Sequence, residues 1–76
     1  MIQMKPIAVK GISNTGGIAI YEIHDGYEAY VKWRLEYGQK EPGKMRKSKI
    51  YYTVSSGRAF FKVNGSRHYL DEFMRL

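Results

Sequence analysis

Residues 27 to 37, YEAYVKWRLEY, alternate without a break. Tyr27, Ala29, Val31, Trp33, Leu35 and Tyr37 form one apolar series. Glu28, Tyr30, Lys32, Arg34 and Glu36 form the other, polar or amphipathic. Successive side chains of a strand point to opposite faces, so this period of two predicts a strand with one buried side. The same segment carries helical signals. Asp25 with Glu28 has the spacing of a capping box, Gly38 stands where a helix would stop, and Glu28 and Lys32 are one turn apart. A helix would, however, set Arg34 on the same stripe as Tyr27, Tyr30 and Val31, which should be apolar. The strand is therefore the expectation, and a helix over 26–37 the alternative.

The rest of the chain punctuates in the same way. Residues 2–10 suit an edge strand, because Pro6 cannot donate to a ladder. GISNTGG at 11–17 is dense in turn formers, and IAIYEIH at 18–24 is rich in strand formers. Asp25-Gly26 and Asn64-Gly65 are hairpin dipeptides. KIYYTV (49–54) and RAFFKV (58–63) predict two further strands around the turn Ser55-Ser56-Gly57. RHYL (67–70) returns from Asn64-Gly65, and Asp71 can cap one short helical turn at the end. The pattern predicts a mostly β fold of five to six strands, a small antiparallel meander or partly open barrel of SH3-like or OB-like type. An α+β fold with one helix at 26–37 is the alternative. The expected core is Val31, Trp33, Leu35, Ile50, Tyr52, Val54, Phe61 and Tyr69.

With 76 residues the chain makes one domain, 1–76, with a marginal core. It has no cysteine, so neither a disulfide nor a thiolate metal site is available, and packing must supply the stability. A reducing compartment fits. Neither a signal segment nor an apolar run of membrane-spanning length is visible, so the expectation is a cytoplasmic protein that does not enter a membrane.

Charge changes the picture more. The formal net charge is +6. Five of the thirteen bases, Lys40, Lys44, Arg46, Lys47 and Lys49, fall within residues 38–49 beside a single acid, Glu41. Residues 38–48 accordingly read as an exposed basic loop, and such a concentration attracts phosphates or acidic protein surfaces. If the odd side of 27–37 faces inward, Tyr30, Lys32 and Arg34 face outward. The same alternation turns out Lys49 and Tyr51 from the next strand, and Arg58, Phe60 and Lys62 from the one after. Basic and aromatic side chains then share one outer face.

Two functions follow from that face. The first is a small binding protein without catalytic activity. It would dock on an acidic protein surface through its β face and basic loop, as an accessory or inhibitory factor of the kind phages and mobile elements encode; a homodimer through the edge strand belongs to the same class. The second is nucleic-acid binding, with bases stacked on the aromatics and phosphates held by the bases of the loop. Catalysis has little support. His24 and His68 each stand beside a turn without a committed partner. Ser66, His68 and Asp71 are too close in sequence to suggest a triad. GISNTGG lacks the lysine of a phosphate loop. No catalytic residue, metal or cofactor is expected.

Overall fold

The structure, a computed structural model, describes residues 5–13, 16–36 and 43–76. It is mostly β, with two antiparallel sheets and no closed barrel. Strands β1 (Ala8–Ser13), β2 (Gly16–His24), β3 (Tyr30–Glu36), β4 (Arg46–Lys49) and β8 (Met74–Arg75) form a five-stranded sheet in the order β4-β3-β2-β1-β8. Strands β5 (Tyr51–Tyr52), β6 (Ala59–Val63) and β7 (Ser66–Tyr69) form a three-stranded sheet, and a single 3-10 turn, Leu70–Glu72, precedes β8. Among the described residues no helix is long and apolar enough to cross a membrane.

The alternation in β3 does what its pattern predicts. Val31 and Trp33 are buried, and Leu35 packs partly buried against them. The helix over 26–37 is thereby overturned. The strand is shorter than the pattern, because His24 pairs with Tyr30 and the intervening residues form a wide turn. In that turn Glu28 adopts a left-handed φ of 57°, and Tyr27 is 92% exposed. Tyr37 lies outside the described residues.

The core sits between the two sheets. Ala8, Ile18, Ile20, Val31 and Trp33 come from the five-stranded sheet, Phe61 and Val63 from the three-stranded sheet, and Ile50 and Phe73 from the connections. Ile23, Ala29, Leu35, Ala59 and Leu70 pack around them.

Several expectations are corrected. Residues 49–54 are not one strand. The ladder breaks at buried Ile50, where the chain passes from one sheet to the other. Tyr52 is exposed, and Val54 fully so. The cause is a turn that begins early: the Thr53 backbone N–H donates to Arg58 O (3.0 Å), its hydroxyl accepts from the Arg58 N–H (3.0 Å), and Gly57 N–H donates to Thr53 O (2.8 Å). Val54 therefore lies in the turn, outside the core. Tyr69 is half-buried, on the outer side of its sheet. The presumed N-terminal edge strand is internal, since β8 pairs Ala8 with Arg75 and Val9 with Met74. β1 also runs on through Gly11 to Ser13, into what looked like a loop. Asp71 falls within the 3-10 turn and does not cap it. Finally, Arg46–Ser48, expected in the basic loop, pair with β3 as the start of β4. An edge strand tolerates lysines that an internal strand would not.

Candidate functional site

The Asn64-Gly65 turn sets the register of the most distinctive surface. Both residues have positive φ, 51° and 85°, as a two-residue primed hairpin requires. Val63 then pairs with Ser66, Lys62 with Arg67 and Phe60 with Tyr69, while β5 sets Tyr51 opposite Phe60. Paired residues share a face, so Tyr51, Phe60 and Tyr69 form a row across the outer side of the three-stranded sheet. Tyr51 and Phe60 stack with centroids 5.8 Å apart, and Phe60 and Tyr69 meet tilted at 5.5 Å.

A cation lies over every ring of this row. Arg58 Cζ is 4.0 Å from the Tyr69 centroid and Arg67 Cζ 4.7 Å from that of Phe60, while Lys49 and Lys62 each place Nζ 5.9 Å from Tyr51. Phe60 was expected to be exposed here. It is on the predicted side but only 5% exposed, because Tyr51, Tyr69 and the Arg67 side chain cover it. Tyr51 is 44% exposed and remains open.

Arg58 is held by two parallel bonds, Nε to Asp71 Oδ2 at 2.8 Å and Nη2 to Oδ1 at 2.7 Å, with Glu72 3.9 Å away. The Arg58 hydrogen bonds hold the Asp71 carboxyl below its ordinary range. Arg58 and Arg67 line an open cleft of about 560 Å³ together with Tyr69, Phe60 and the hydroxyl-bearing turn Thr53–Ser56.

A second basic face lies on the five-stranded sheet. Tyr30 is opposite Lys49, and Lys32 is opposite Lys47. Lys47 Nζ is 4.2 Å from the Tyr30 centroid, and His24 stacks on the same ring at 5.0 Å. Tyr30 OH donates to Glu22 (3.0 Å), which also pairs with Lys32 (3.3 Å). The bond to Glu22 raises the Tyr30 pKa, and the same contact with Tyr30, followed by Lys32, lowers that of Glu22. Arg34 belongs to a closed cluster: its Nε donates to Tyr21 OH (3.1 Å) and to Glu36, and Tyr21 OH donates to Glu36. Burial, followed by the bond to Glu36, pushes the Tyr21 hydroxyl up.

The residues singled out from sequence thus separate into groups. Lys32, Arg34 and Arg58 have their charge committed to neighbouring carboxylates. Lys47, Lys49, Lys62 and also Arg67 pair with no described carboxylate. Lys44 is exposed. Arg46 is opposite Trp33 on the inward side of β4, its Cζ 5.7 Å from the indole. Lys40 lies outside the described residues. The predicted single face is two faces that meet at Ile50, and Lys49 spans them, opposite Tyr30 and within reach of Tyr51. Arg67 and Tyr69 were missed. Counting pairs back from Asn64-Gly65 finds both.

The two histidines have different surroundings. His24 is exposed against Tyr30. His68 is half-buried opposite Phe61, with Nδ1 buried and unpartnered among the described residues. Burial, and then the nearby charge of Lys10, hold its imidazole below the ordinary range. No group of three His, Cys, Asp or Glu that could hold a metal occurs among the described residues. Family models, curated proteins and solved structures offer no match to this chain.

Proposed function

We propose that the protein binds single-stranded nucleic acid on its basic outer faces, as a cytoplasmic binding module without catalytic activity. One observation carries this: three rings in register, each under a cation, of which Lys49, Lys62 and Arg67 pair with no described carboxylate, with Lys47 likewise unpaired on the adjoining face. Free cations attract phosphates by releasing their counterions, whatever the sequence. The open ring of Tyr51, and the guanidinium planes of Arg58 and Arg67 that lie over the other two rings, can accept unpaired bases. An acidic protein surface would match the same charge and could also pack on Tyr51, but exposed guanidinium planes backed by rings suit flat bases. It is the alternative that the test must separate.

The test is a fluorescence-anisotropy titration with a labelled oligothymidylate of about 15 nucleotides, against a duplex of equal length, across about 50 to 200 mM salt. Tighter binding to the single strand is expected. The log–log salt slope should approach about −3, from about 0.7 for each of four phosphates. Replacing Lys47, Lys49, Lys62 and Arg67 with Gln together should flatten it. A parent protein that ignores both oligonucleotides at the low salt, yet retains an acidic protein partner, would refute the proposal in favour of docking.

A further inference from the structure

The Arg58–Asp71 pair is a poor phosphate site, because its charge is already balanced. As a stabilising ion pair it is also weak, since both side chains are about half exposed and such pairs contribute little. Its geometry serves something else. Two parallel bonds along one edge fix the guanidinium plane, and the 4.0 Å approach to Tyr69 occupies one of its faces. The Arg58 side chain remains 41% exposed and borders the cleft.

We propose that Arg58, held over Tyr69 by Asp71, is the platform on which one base stacks, and that Arg67 on the same cleft takes the phosphate of that nucleotide. This rests on the single-strand proposal above and adds where a base is read. Guanidinium planes accept stacked bases, and a lysine in the same place would supply charge but no plane. Arg67 has the complementary property. It comes from the neighbouring strand, lies over Phe60, and has no described carboxylate partner, so its charge is available. The cleft, about 560 Å³, falls within the range of about 300–1,000 Å³ typical of small-ligand sites. Ser55 on its wall offers a hydroxyl to sugar or phosphate, while the Ser56 hydroxyl bonds that of Thr53 (2.7 Å). Asp71 is a positioning residue. It orients Arg58 and need not touch the strand.

Two substitutions test this with the same oligothymidylate, Arg58→Lys and Asp71→Asn. Arg58→Lys keeps the charge and removes the plane, so affinity should fall about tenfold, within the range measured for losing one stacked base, with the salt slope unchanged. Asp71→Asn makes the site more positive by one charge. Simple attraction predicts tighter binding, whereas loss of the platform's orientation predicts weaker binding by several-fold. On a strand of equal length with abasic sugars, Arg58→Lys and the parent should bind alike. Both residues are at the surface, so melting curves should stay within a few degrees; if one variant does not fold, the other decides. The platform is overturned if Asp71→Asn tightens binding, or if Arg58→Lys binds as the parent does while the parent binds the base-bearing strand. A parent that binds no oligonucleotide overturns the platform and the underlying proposal together.

Discussion

Trp33→Ala should come close to unfolding the protein. The indole is 2% exposed, lies 5.8 Å from the Phe61 ring and is capped at the sheet edge by Arg46. Its Nε1–H donates to Ser48 Oγ at 2.9 Å. Removing a buried Trp costs about 3–5 kcal/mol through lost burial and the cavity left behind. At roughly 0.05–0.15 kcal/mol per residue, a chain of this length holds about 4–11 kcal/mol in total. The loss is therefore of the order of the whole. At about 4–8 °C per kcal/mol, the expected fall in Tm is about 12 °C or more. Ser48→Ala isolates the polar part. It leaves a buried indole N–H unpaired and should cost about 1–3 kcal/mol, less than the ring. Thermal and urea unfolding followed by far-UV circular dichroism measures both without needing the tryptophan signal. A Trp33→Ala protein that melts within about 5 °C of the parent would show that the space between the sheets does not depend on this ring.

The covered ring of the outer row gives a second expectation. Phe60→Ala should destabilise by about 3 kcal/mol, the low end for a buried Phe because a side chain, not a packed layer, covers it. Val54→Ser, at a fully exposed turn position, should stay within about 0.5 kcal/mol; equal costs in urea titrations would reverse the assignment of these residues. A third concerns pH. His68 is held neutral in the fold, so the unfolded chain takes up its proton first as pH falls below about 6.5. Stability should be full above that value and decline as pH falls towards the lowered folded pKa. Asp71 and Glu72, whose pKa values are lowered, add their own loss only below about pH 4.5. Urea midpoints between pH 7 and 5 should decline in the parent and flatten in His68→Gln; an unaltered decline in the variant would exclude His68 as the cause.

What could be read from sequence was whatever a single strand decides for itself. The period of two in 27–37 is a local property, and it correctly turned Val31 and Trp33 inward. Pairings between distant segments left no such trace. Nothing near Phe73 announces that Met74–Arg75 will close the edge beside Ala8 and Val9. The chain changes sheets at Ile50 and turns at Thr53, whose hydroxyl and backbone bond Arg58, so alternation carried past Ile50 misplaced Tyr52 and Val54. Phe60 shows the same limit from the other side. Its facing follows from its own strand, but its burial follows from Tyr51, Tyr69 and Arg67 on the strands either side. Charge misled in one place: a run of bases looked like a loop, although Arg46 to Lys49 suit an edge strand whose inward side meets Trp33 and Val31.

The bend at Ile50 also bears on which ligand the faces suit. Tyr30 with Lys47 belongs to one sheet, and Tyr51, Phe60 and Tyr69 belong to the other. Lys49 is the link, and the chain changes sheets immediately after it. A duplex is stiff over this distance, its persistence length being about 150 base pairs, and could lie along one face only unless it were bent at a cost. A single strand can turn at the junction and engage both. The cations above the rings point the same way. Lys49 and Lys62, 5.9 Å from the Tyr51 ring, pair with no described carboxylate, so a base can take their place on the ring while they turn to its phosphate. Arg58 is oriented by its two bonds to Asp71, so on the proposal above a base arriving there meets the exposed face of its guanidinium. Unpaired lysines at one end of the row and an oriented plane at the other would give a strand general attraction along most of its path and one defined position.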